Sequence, residues 1–231
     1  MKTSSMKIRF LSLALASAFA AAVPAVSFAQ AGTAAAAAQS PAGQFVLTSS
    51  NRILTTLQQR RAEFKANPAA LKQYIGSELN NTFDRMTAAR AVLGIHARGA
   101  SDADVKLFAD ALVDSLTQRY GSALLGFEGH PSFKVKSVTT LPNNLGVEVA
   151  TDLVRQGADP TPVIYRVRNT GGQWRIFDVV IEGISYVQTF RNQFDAPLRQ
   201  KSIAQVAADI RNGTLQVAQP AAGNGKPARG K

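Results

Sequence analysis

Halfway along this 231-residue chain the apolar residues change their spacing. Over residues 44 to 126 they recur every three or four positions, and over 133 to 182 they alternate with polar ones. The first period belongs to helices with one buried face, the second to strands with one wet face. Helices gathered first and strands second do not interleave into the βαβ units of a parallel sheet. The pattern predicts an α+β fold.

The helical half divides at its caps. Phe45, Ile53, Leu54 and Leu57 mark a helix running to Arg61. Asn67-Pro68 supplies an N-cap and a first-turn proline for a second, which carries Leu71, Tyr74, Ile75 and Leu79. Asp84 caps a third, short helix that Gly94 ends. Ser101 caps the longest one, with Asp102 and Asp104 in the first turn where the helix dipole favours acids, and with an apolar stripe of Val105, Phe108, Leu112, Leu116 and Tyr120. In the second half four strands are expected, around 133–136, 145–153, 163–168 and 174–182. Asn169-Thr170-Gly171-Gly172 joins the last two as a hairpin, and the fourth strand is expected to bury Phe177, Val179 and Ile181 on one face. Ser185 then caps a helix bearing Tyr186, Phe190 and Phe194, and a final helix with Ile203, Val206 and Ile210 stops at Gly213. The architecture expected is a four-stranded twisted antiparallel sheet with helices packed over one face. Periodicity alone leaves open whether the layers close on a solid core or leave an apolar cavity.

At the start, Lys2, Lys7 and Arg9 precede an apolar run at 10–22, followed by Pro24 and the small-residue site Ser27-Phe28-Ala29. These are the parts of a secretory signal peptide, predicted to cover 1–29, and the run is short for a bilayer span. Residues 30–43 read as a flexible leader, 44–213 as a single domain and 214–231 as a disordered tail. The chain has no cysteine, which removes disulfides, thiolate metal sites and thiol chemistry. An exported chain without disulfides must be held by its hydrophobic core, which this length allows. The net charge of +11 suits an anionic partner. Export, together with scattered basic residues lacking interleaved aromatics, argues against a nucleic acid.

The sequence carries no recognisable catalytic constellation. His96 and His130 are the chain's two histidines, and they lack the spacing of a metal site. No G-x-S-x-G elbow is present, and Ser185 reads as a helix cap. Asp178 and Glu182 lie roughly 13 Å apart if both are in one strand, beyond the roughly 5–9.5 Å of glycosidase carboxylate pairs. No glycine-rich loop follows a strand to cradle phosphates. The chain is therefore expected not to be an enzyme, and no metal or cofactor is expected.

Two stretches resemble the MlaC, or toluene-tolerance, family of periplasmic phospholipid carriers. One is Asp178-Val179-Val180-Ile181-Glu182-Gly183-Ile184-Ser185-Tyr186 with the following Phe190-Arg191-Asn192-Gln193-Phe194; the other is Phe83-Asp84 with Ala89-Arg90-Ala91-Val92-Leu93-Gly94. The segment Ile95-His96-Ala97-Arg98 departs from the family, which often has aromatics there. The resemblance implies an apolar cavity, phospholipid as cargo, and a periplasmic location. It further implies partners at both membranes: an MlaA-type outer-membrane lipoprotein complex and an inner-membrane ABC transporter with an MCE-domain subunit, with transient membrane proximity and a role in outer-membrane lipid asymmetry. Lipid-binding residues expected on the sheet are Val147, Val149, Tyr165, Val167, Phe177, Val179 and Ile181, and on the helices Phe83, Leu112, Leu116, Tyr186 and Phe190. The alternative is an NTF2-like or cystatin-like module for another apolar small molecule.

Overall fold

The computed structural model of the chain describes residues 26–126 and 129–218. Helices α1 (Val26–Gln39), α2 (Pro41–Gln59), α3 (Arg61–Ala66), α4 (Pro68–Thr82), α5 (Arg85–Leu93) and α6 (Asp102–Tyr120) come first. Strands β1 (Ser132–Thr140), β2 (Val147–Arg155), β3 (Ala158–Thr170), β4 (Gln173–Ile181) and β5 (Ile184–Ser185) follow, and helices α7 (Tyr186–Gln200) and α8 (Ile203–Arg211) close the fold.

Local chemistry sets the helix starts. Asn67, Asp84, Ser101 and Ser185 each accept the backbone N–H three residues on, which satisfies one of the donors a first turn leaves open. Ser202 and Gln205 form a reciprocal capping box at α8. Gly94 ends α5 at φ +57°, a conformation that costs glycine little.

The sheet is an antiparallel meander in the order β1-β2-β3-β4-β5. Among the described residues it has five strands where the sequence suggests four, because Glu182 and Gly183 turn at positive φ and fold Ile184–Ser185 back onto Val180 and Ile181. A second correction concerns β4. Arg166 pairs with Asp178 while Val167 pairs with Ile176, so Phe177 is an extra, bulged residue. The bulge shifts the alternation: Ile176 joins Val179 and Ile181 in the sheet cluster, and the unpaired Phe177 lines the same pocket as those two.

Helix α1 lies against β1, so the segment read as a flexible leader (30–43) is helical and packed. Alanine is the strongest helix former, and here Ala37 and Ala42 are buried against the sheet cluster. The α1–α2 junction is close enough that a Cβ on Gly43 would meet the Ala37 carbonyl at 2.1 Å. The segment read as a disordered tail also begins ordered. Val217 is fully buried, Tyr120 donates to its carbonyl at 3.3 Å, and Gln193 donates to the Gln216 carbonyl at 2.8 Å. Residues 1–25, with most of the expected signal peptide, and 219–231 lie outside the described residues. Among the described residues no helix is long and apolar enough to cross a membrane.

Among the described residues, buried side chains form three clusters. One joins α5, α6, α7 and α8 around the Phe108–Phe194 edge-to-face pair, whose centroids are 5.2 Å apart. Another seals α1 and α2 onto β1–β4. A third, small one holds Leu57, Phe64, Leu71 and Leu125 between α2, α3 and α4.

Candidate functional site

An apolar pocket of about 440 Å³ opens where the three clusters fail to merge. Ile75 and Leu79 of α4, Ala88, Ala89 and Val92 of α5, and Ala109, Leu112, Val113 and Leu116 of α6 form one wall. Phe177, Val179 and Ile181 of β4 face them, and Tyr186, Val187 and Phe190 of α7 close the end. Two features of the chain leave this space empty. Strand β5 pairs only with Val180 and Ile181, so most of β4 has a bare edge beyond the single bridge from Phe83 to Ile176. Alanines stand at 88, 89 and 109, where larger side chains would fill the gap.

Eight of the residues expected from sequence lie on this wall: Phe83, Leu112, Leu116, Phe177, Val179, Ile181, Tyr186 and Phe190. Val147, Val149, Tyr165 and Val167 do not. Helix α2 covers their part of the same sheet face, and Val149 and Val167 are fully buried against a cluster containing Val46 and Leu54. Tyr165 is buried there too; burial pushes its hydroxyl up to about 12, against the lowering effect of its hydrogen bond with Ser50. Val147 lies at the other end of the sheet, beside a second recess with Leu145, Arg168 and Trp174.

Within β4 the wall is fixed by a buried carboxylate. Asp178 is 3 % exposed and accepts from Ser185 Oγ at 2.7 Å, from the Val187 backbone N–H at 3.1 Å and from Arg166 at 3.1 Å. Arg166 also donates to Glu148 at 2.8 Å. Ser185 in turn caps α7 through the Gln188 N–H. The Asp178 and Ser185 side chains thus tie the N-terminus of α7 to β4, and α7 presents Tyr186, Val187 and Phe190 to the pocket. The hydrogen bonds of Ser185 are those of a helix cap. His96 meets Asp195 of α7 at 3.0 Å, and that hydrogen bond, together with Arg199, holds the Asp195 carboxyl below the usual carboxylate range. Among the described residues no group of three or more His, Asp or Glu could hold a metal ion.

The family model described as MlaC protein matches residues 48–212, most of the chain. The chain belongs to the MlaC family. Within that family it is 28% identical over 192 residues to the toluene tolerance protein ttg2D of Pseudomonas putida, an alignment covering 81% of this chain and 87% of that one. It is 20% identical over 146 residues to the intermembrane phospholipid transport system binding protein MlaC of Haemophilus influenzae, covering 62% and 68%. Its fold is similar to that of a phospholipid-binding protein from Ralstonia solanacearum solved in complex with a phospholipid. The TM-score is 0.66 at 20% identity, over 76% of this chain and 99% of that one.

Some wall residues of this MlaC-family chain escaped the sequence. Ile75, Leu79, Val92 and Tyr120 stand on helical stripes but carry no mark separating pocket from core. Ala88, Ala89 and Ala109 look like ordinary helix formers, although small residues on an otherwise bulky stripe are the available signal. Arg85 gave none.

Proposed function

We propose that this protein is a soluble periplasmic phospholipid carrier, with the apolar pocket as the seat of its acyl chains. The observation that carries the reading is a wall built almost wholly of aliphatic and aromatic side chains in a member of the MlaC family. Supporting it, the Haemophilus influenzae relative is named as an intermembrane phospholipid transport binding protein and the Ralstonia solanacearum protein was solved with a phospholipid.

Each methylene withdrawn from water contributes about 0.8 kcal/mol. Baring a chain of roughly 16 carbons therefore costs on the order of 12 kcal/mol, and unaided escape from a bilayer is very slow. Side chains of the pocket replace the membrane's hydrocarbon around the tail. A methylene is about the size of a water molecule, whose share of liquid volume is roughly 30 Å³, so 440 Å³ takes on the order of 15 of them, about one chain.

A carrier whose well matches the bilayer biases neither direction, so its partners must supply the bias. We assign that part to an MlaA-type outer-membrane complex and an inner-membrane MCE/ABC transporter, with lipid asymmetry of the outer membrane as the outcome. The test is transfer of a self-quenched fluorescent phospholipid from donor to acceptor vesicles. The purified protein is expected to accelerate transfer in proportion to its concentration; a rate equal to that of vesicles alone contradicts the proposal.

A further inference from the structure

The wall contains a cation that the carrier reading leaves unused. Arg85 is the first residue of α5, and its side chain, 26 % exposed, crosses toward α6. Its Nη1 donates to Asn80 Oδ1 at 2.7 Å and its Nη2 to Asp110 Oδ1 at 2.5 Å. Its Nε is shut off from water and has no acceptor among the described residues. Arg191, across α5, differs: its Nε donates to the Ala91 carbonyl at 2.7 Å, while the Nε of Arg155, unpaired like that of Arg85, lies away from the pocket. An unpaired donor away from water is costly, and a charged one more so.

The local charge is also unbalanced. Asp110 is shared with Lys106, whose Nζ lies 2.7 Å from its other oxygen, so two cations draw on one carboxylate. Arg175 adds a third positive group, donating to the Asn80 and Asn81 carbonyls at the end of α4. Among the described residues of the wall the other charged group is Asp178, which is already satisfied by Ser185, Val187 and Arg166.

We propose that Arg85 is the anion contact of the pocket, and that it holds a phosphodiester oxygen of the amphiphile whose chain fills the apolar space. The proposal rests on the lipid reading above and adds the residue that meets the headgroup. A guanidinium fork suits phosphate and carboxylate alike, so free fatty acid is the competing source of the anion.

Isothermal titration of delipidated protein separates these cases with three single-chain probes: palmitoyl lysophosphatidylglycerol, monopalmitoylglycerol and palmitate. Wild-type protein is expected to prefer the lysophospholipid to the neutral glyceride. Arg85→Gln is expected to weaken the lysophospholipid about tenfold, the worth of one charge-assisted hydrogen bond, and to leave the glyceride within about twofold. Asp110→Asn, which frees Nη2 and removes the competing charge, is expected to tighten the lysophospholipid; it carries the test if Arg85→Gln does not fold. Equal weakening of both probes by Arg85→Gln, no change in either variant, or a dependence on Arg85 confined to palmitate overturns the assignment. Wild-type protein that binds both palmitoyl glycerides equally also ends it while sparing the carrier reading. Wild-type protein that binds no probe ends both.

Discussion

Leu116 and Val149 carry similar side chains into different surroundings. Leu116 borders open space between α6 and β4, whereas Val149 is fully enclosed between β2 and α2. Tryptophan at the two positions is therefore expected to act oppositely. Val149→Trp overpacks a closed core and lowers stability by about 1–3 kcal/mol or more, read from urea unfolding. Leu116→Trp fills a void, keeps most of the stability and reduces retained lipid. Tyr165, on the same closed side as Val149, makes a pH prediction. Its folded-state value, about 12, lies above the ordinary 10, so its contribution to stability is complete below pH 10 and is lost as pH rises from about 10 to about 12. Tyr165→Phe is expected to remove that part of the alkaline loss, measured as unfolding free energy across the same window, and to leave lipid binding unchanged.

At the scale of elements, α7 owes its place to one buried carboxylate. Asp178→Asn keeps the shape but weakens three hydrogen bonds to a charged acceptor, and a loss of about 1.5–3 kcal/mol in urea unfolding is expected, with faster amide exchange over the first turn of α7. Unchanged exchange there would show that packing of Phe190 and Phe194 alone positions the helix. Elements were legible in the sequence wherever their signal was local. Asn67, Asp84, Ser101 and Ser185 each announce a helix start, and Asn169 to Gly172 announces a hairpin, because caps and tight turns depend on a few adjacent residues. The bulge at Phe177 was not legible, since register is set by the partner strand. Nor was α1, because an alanine run serves equally as a leader in water or as a helix once a sheet lies beneath it.

For the whole molecule, the decisive property is which helix covers which part of one apolar sheet face. Alternation identified that face correctly, so Val149 and Val179 were both expected on the pocket. Helix α2 closes the β1–β3 portion, and the bare edge of β4 stays open to α4–α7. That division depends on contacts between residues about a hundred positions apart, which no local period encodes. Three small cores in place of one leave a seam, and the seam is the pocket. The central claim is that hydrocarbon fills this seam in the working protein. Native mass spectrometry of gently purified wild-type protein beside Leu116→Trp tests it most directly. Wild-type protein is expected to carry an added mass equal to a phospholipid and Leu116→Trp, natively folded by circular dichroism, to carry markedly less; equal lipid content in both, or bare protein in both, would contradict that claim.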